Sequence, residues 1–349
     1  MSDTVNDGST ASTKVRSSTR RMLLGRDAGS VYALVLIAVL AAVFVPYFAS
    51  VTTVSFLLID AVPILLMAMP MALIIITGEI DLSVASTAGL SAAVMGVLWH
   101  NQHWSIVAIV LACAVVGILC GVVNGLLITK VGLPSLAVTI GTLALFRGLA
   151  LVVIGDNAVA DFPVALTTWA TSSIGGTGIP IVMIIVAIAV VIFGVLLHFT
   201  PFGRGLFALG FSVEAADFVG IRVERSKLLL YVASGLVSSL AGIFWVLRYS
   251  SAQSDSVQGL ELSVVAAVLL GGVSIFGGTG GIIGVVAGVL LIRTVEYALQ
   301  LAGLPATVLT IVTGALLIIS VIAPSASAWI SRTVASRRSR TLLHDAPAS

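Results

Sequence analysis

The chain has 349 residues, of which 59% are apolar and 9% charged, and a net charge of +2; an ordinary soluble domain carries about 25% charged residues. That composition excludes a soluble enzyme, because so much apolar surface cannot be left in water. Its basic residues sit in tails and short loops rather than in a stripe interleaved with aromatics, which excludes a nucleic-acid-binding role, and the chain reads as an all-α polytopic membrane protein.

Residues 1–29, rich in Ser, Thr and Asp, read as a disordered cytoplasmic tail. The apolar run that follows is too long for a cleaved signal peptide and has many more behind it. At about 20 apolar residues per crossing, ten transmembrane helices are predicted at 31–48, 54–77, 85–99, 106–129, 136–154, 179–199, 228–247, 262–276, 282–301 and 306–322. They form a membrane domain over 30–324, followed by a second cytoplasmic tail at 325–349. An even number of crossings puts both tails on the same side. With that side cytoplasmic, Lys14, Arg16, Arg20, Arg21, Arg26, Arg332, Arg337, Arg338 and Arg340 join Lys130, Arg204, Arg222, Arg225 and Lys227 inside, 14 of the 17 basic residues.

The third and eighth spans are short, and each adjoins a polar or glycine-rich break, Gly78–Ser83 and Gly277–Gly281. Divided into two sets of five, the chain gives halves of opposite topology, the arrangement of transporters whose path runs beside interrupted helices. Glu79 and Asp81 stand in the first break, and a carboxylate at membrane depth costs about 2.5–3.5 kcal/mol. Two readings stay open: a break lining a substrate cavity together with Ser83, Asn124 and Thr142, or a short cytoplasmic turn in which Asp81 caps the next helix. Arg147 in the fifth span either lines the same path or reaches to the outer face.

Glycines recur every fourth residue at Gly117, Gly121, Gly125 and at Gly280, Gly284, Gly288. They suit close helix packing within one subunit or at a subunit interface. Cys113 and Cys120 lie about 10 Å apart along one helix, too far for a disulfide. His100 and His103, with no Cys or carboxylate nearby in sequence, define no metal site. No phosphate-binding Gly-x-x-x-x-Gly-Lys-Ser/Thr loop and no hydrolase elbow is present, so neither a cofactor nor an enzymatic centre is expected.

The coupling loop at about 200–227 contains Glu214-Ala215-Ala216 and then Gly220-Ile221. Such a short small-residue helix suits docking into another protein's groove. The spacing from Glu214 to Gly220 resembles the cytoplasmic loop of ATP-binding-cassette importer permeases. Ile76–Ser83, Thr139–Leu143 with Arg147-Gly148, Ala208-Leu209-Gly210, and Ala266–Gly272 with Phe276–Gly278 are similar, in order and spacing, to permeases of the ribose, xylose, rhamnose and autoinducer-2 branch. The resemblance implies a dimeric permease that docks two ATPase subunits through Glu214, Ala215, Ala216 and Gly220. It also implies a sugar delivered by an extracytoplasmic binding protein, and a second permease subunit that is a copy or a relative. Glu79 and Phe211 depart from the commonest family pattern. The competing expectation is an ion-coupled secondary transporter titrating Glu79, Asp81 or Glu296.

Overall fold

The computed structural model describes residues 26–305, 307–319 and 322. Residues 1–25 and the tail 325–349, with most of the basic residues counted above, lie outside them. In chain order the helices are α1 (Arg26–Phe44), α2 (Val51–Ile76), α3 (Val84–His100), α4 (Ile106–Thr129), α5 (Ser135–Ile154), α6 (Val164–Thr171), α7 (Met183–Phe199), α8 (Pro201–Phe211), α9 (Val213–Phe218), α10 (Val223–Tyr249), α11 (Leu260–Leu270) and α12 (Ile282–Leu301), then α13 (Thr307–Ile319). Each predicted span overlaps an apolar helix. α2, α4, α5, α10 and α12 are long and apolar enough to cross a membrane alone, and α7 and α8 qualify together across a 69° bend.

α2 lies at the centre, apolar on all sides and buried over 94% of its most apolar stretch, as a helix surrounded by others must be. α10, α12 and α7 pack directly against it, α3 and α4 lie against α10, α5 covers α3, and α1 lies on α12. Glycine governs the tightest of these contacts. A methyl on Gly117 would meet the Gly235 carbonyl oxygen at 2.3 Å, and one on Gly121 the Tyr231 oxygen at the same distance. The Gly117, Gly121 and Gly125 strip therefore serves packing of α4 on α10 within one chain. In the second series Gly288 packs on α11, 2.2 Å from the Ala267 oxygen by the same measure. Gly280 precedes the first residue of α12 and is not part of that helical strip.

Two other expectations are corrected, and one further element appears. The eighth span does not run to residue 276: α11 ends at Leu270, where Gly271 caps it and Gly272 turns the backbone to φ +91°, a conformation that glycine adopts without a Cβ clash. The long loop after α5 contains a further helix, α6, and is tied to the 250–259 segment by reciprocal hydrogen bonds between Val159 and Ala252 (3.0 and 2.8 Å). The two breaks do not sit at opposite ends, as inverted counterparts would: they meet at one end, where the Gly278 N–H donates to the Ile76 carbonyl at 2.8 Å.

Candidate functional site

α2 ends when the Thr77 hydroxyl turns back to the Ile74 carbonyl (2.7 Å) and Gly78 adopts φ +81°. The chain then re-enters as α3, whose first N–H groups have no intrahelical acceptors. Asp81 answers that need: one carboxylate oxygen accepts from the Ser83 N–H (3.0 Å) and the Ser83 hydroxyl (2.6 Å). The other accepts from the Ser234 hydroxyl of α10 at 2.8 Å. Asn124 of α4 donates its amide to the Ser83 oxygen at 2.7 Å. Asp81, Ser83, Asn124 and Ser234 are all buried, and Asn124 Oδ1 has no hydrogen-bond partner among the described residues. Three of the sequence candidates thus form one knot joining the break, α3, α4 and α10, and Ser234 is the member that sequence reasoning missed.

Glu79 faces the other way and forms an ion pair with Lys227 of α10, both side chains about five-sixths covered at 17% and 15% exposure. The backbone between the two acids is pinned as well. The Ile80 N–H donates to the Ser135 hydroxyl (3.2 Å), and the Thr139 hydroxyl donates to the Ile80 carbonyl (3.3 Å). Thr142 lies one turn further along α5 and bonds only to the Thr139 carbonyl (3.4 Å) among the described residues. Arg147 is at the far end of α5, donating to the carbonyls of Ser254 (3.1 Å) and Ser256 (2.8 Å). It fastens the 250–259 segment and does not join the Asp81 knot.

The two breaks are seated on α8. Gly210 lies so close to them that a methyl there would stand 1.9 Å from the Ile76 oxygen and 2.4 Å from the Gly278 nitrogen. Phe211 covers Gly278, its ring 3.0 Å from where a side chain would begin. The bulky residue after Ala208-Leu209-Gly210 therefore caps the second break.

Next in the chain, Ser212 caps α9: its hydroxyl oxygen accepts from the Ala215 N–H (3.1 Å) and its proton goes to Glu214 (2.9 Å). Bonds from its own backbone N–H and from Ser212 hold the Glu214 carboxyl below the usual range. Gly220, at φ +82°, ends the element, and the Ile221 N–H returns to the Ala216 carbonyl (3.0 Å), the glycine-terminated arrangement common at helix ends. Ala216 is buried, Glu214, Ala215 and Gly220 are exposed, and Phe218 stands 92% exposed beside Val219 at 75%. α9 is a capped knob with bare apolar side chains.

A second polar constellation occupies the end of the bundle away from the breaks. Arg248 Nε donates to Asp60 (3.0 Å), Tyr297 donates to the same carboxylate, and Arg293 pairs with Glu296 (2.6 Å). Asp60 was the available signal, a lone carboxylate inside an otherwise apolar span. Its partners lie 188 and 237 residues away. No cluster of three or more His, Cys, Asp or Glu side chains that could hold a metal is found among the described residues. His100 instead bonds Asp161 at 2.9 Å.

An apolar helical bundle with interrupted helices and an exposed capped knob is the form of a multi-pass membrane protein. The profile of the family described as "Branched-chain amino acid transport system / permease component" matches residues 53–321, and the chain belongs to that family. It is 36% identical over 286 residues to the autoinducer 2 import system permease protein LsrD of Photorhabdus laumondii, covering 78% of this chain and 85% of that one. Against the protein of the same name from Escherichia coli K12 it is 37% identical over 274 residues, covering 77% and 82%. No solved structure matches. As a permease subunit the protein is a component of a transporter and not an enzyme.

Proposed function

We propose that the chain is the permease subunit of an ATP-binding-cassette importer that carries a monosaccharide, ribose-, xylose- or rhamnose-like, or an autoinducer-2-like sugar, into the cytoplasm. The relation to the LsrD permeases carries this reading, and the form of α9 supports it. An ATPase subunit would grip α9 through Glu214, Ala215, Ala216 and Gly220, with Phe218 filling an apolar pocket of the partner. In this reading ten helices cross the inner membrane within 30–324, and both tails and the coupling loop 200–227 face the cytoplasm, in keeping with the basic-residue bias. A second permease subunit completes the path, and a binding protein delivers sugar to the opposite face.

Glu79, Asp81, Ser83 and Asn124 would act on the path indirectly in this scheme, by holding the first break in shape, and Arg147 by fastening the 250–259 segment, while Thr142, one turn beyond the break on α5, is the candidate left to line the path. The same bonding disfavours the ion-coupled alternative, in which Glu79 or Asp81 must exchange protons with a passing solute. The decisive experiment is reconstitution: sealed vesicles holding this chain alone take up no sugar, and uptake begins when the ATPase, the binding protein and ATP are supplied. Concentrative uptake by the chain alone would overturn the proposal. Glu214→Lys, which reverses the charge of the knob, should leave the protein inserted but unable to retain its ATPase on affinity purification.

A further inference from the structure

A cavity of about 570 Å³ opens among α2, α10, α12 and α13 at the end away from the breaks, within the range of about 300–1,000 Å³ of small-molecule sites. Its lining includes Asp60, Arg248, Arg293, Glu296, Tyr297 and Gln300. Two acids and two arginines balance, so the site favours no net ionic charge. The four charged side chains of the two ion pairs are only 15–18% exposed. Withdrawing each from water costs several kcal/mol, and apolar residues of similar size would hold four helices together as well or better. Packing therefore does not account for this lining.

The groups are also held in fixed directions. Asp60 is oriented by Arg248 and Tyr297. Glu296 is oriented by Arg293 on one oxygen and by the Thr313 hydroxyl on the other (3.0 Å). The Arg248 guanidinium lies 5.3 Å from the ring centres of both Phe56 and Tyr249, which also line the cavity. A carboxylate has about four acceptor positions and a guanidinium five donors, so each keeps bonding capacity beyond these contacts. Arg293 Nε is buried with no hydrogen-bond partner among the described residues. Planar acceptors and donors side by side match adjacent hydroxyls, which both donate and accept, and aromatic rings match the apolar faces of a saturated ring.

We infer that this cavity is a binding subsite for a neutral polyhydroxylated molecule of monosaccharide size. The inference rests on the import reading for its choice of ligand, and places the subsite at the face where sugar would arrive. Asp60 and Arg293 are its principal hydrogen-bonding groups, and Tyr297 is the positioning residue that fixes Asp60.

Saturation-transfer NMR of D-ribose, D-xylose and L-rhamnose over the full chain in lipid nanodiscs tests the subsite directly, and uptake by the assembled importer tests the reading beneath it. At least one sugar should show transfer, reduced at least fivefold by Asp60→Asn and by Tyr297→Phe. The latter keeps the ring and the packing around it and serves as the folding-neutral variant, while Thr167→Ala on α6 should match wild type. Transfer that is absent, or equal in wild type and Tyr297→Phe, overturns the subsite even if uptake is intact. Transfer lost in Tyr297→Phe upholds the subsite even if uptake never depends on ATP, an outcome that would sink the import reading alone. In the working importer, Tyr297→Phe should raise the sugar concentration for half-maximal uptake about fivefold without loss of the bound ATPase.

Discussion

Replacing Gly210 by Ala probes the place where α8, next to the docking knob, touches both helix breaks. The added methyl would stand 1.9 Å from the Ile76 oxygen and 2.4 Å from the Gly278 nitrogen, where non-bonded carbon contacts lie at about 3.5–4.0 Å. The third nearest atom, the Gly278 Cα at 3.0 Å, is backbone like the other two, so no side chain can swing away; the end of α8 must retreat by more than an ångström, or the two breaks must part. Overpacking of this kind costs about 1–3 kcal/mol, and losing the 2.8 Å bond from Gly278 to Ile76 adds about 0.5–1.5 kcal/mol. The total of about 1.5–4.5 kcal/mol, over an unfolding entropy of about 0.7 kcal/mol/K for a chain of 349 residues, corresponds to a fall of roughly 2–6 °C in the unfolding midpoint of the purified protein in detergent. Gly205→Ala is the comparison, since its methyl would meet nothing closer than the Ile221 side chain at 3.7 Å. Because the exposed face of α9 is untouched, Gly210→Ala should still retain an ATPase while sugar uptake falls. If Gly210→Ala unfolds within a degree of Gly205→Ala, the three-backbone contact is not present and the reasoning fails.

Ser234→Ala removes a donor from the buried Asp81 carboxylate and should destabilise by about 1.5–3 kcal/mol, read from the same thermal scan; Thr313→Ala is not expected to disturb that knot. Lys227→Met strands Glu79 in a mostly covered setting and should lower stability by about 3–5 kcal/mol, whereas Lys227→Met with Glu79→Leu should recover most of it; a double variant as unstable as the single one would show that the pair acts through other contacts. At the opposite end, the hydrogen bond from His100 holds the Asp161 carboxyl below its ordinary value. A depressed folded-state value means a stabilisation fully present above the unfolded value of about 3.9 and lost as pH falls through the lower folded one. Trp99, whose indole N–H donates to the Asp161 carbonyl (3.0 Å), should therefore change its emission on acidification below about pH 4, and Asp161→Asn should abolish that step.

The membrane class, the order of the apolar helices and the capped turn around Glu214 were all legible in the amino-acid sequence, because each depends on neighbours within a few residues. Hydropathy over about 20 positions announces a helix that must satisfy its own backbone, and Ser212, Glu214 and Gly220 carry the start and stop of α9 in themselves. Tertiary structure alone decided that Asp81 is tied to Ser234 and Glu79 to Lys227, that the two breaks share one end, and that Gly210 is the seat between them. It also brought Asp60, Arg248, Arg293, Glu296 and Tyr297 to one cavity. These pairings join residues 148 to 237 positions apart, with the Arg293–Glu296 pair the local exception. A buried charge shows in the sequence as a charge that needs a partner, but which partner it finds is set by how the helices rotate and pack, and that follows from the fit of whole surfaces rather than from any local pattern.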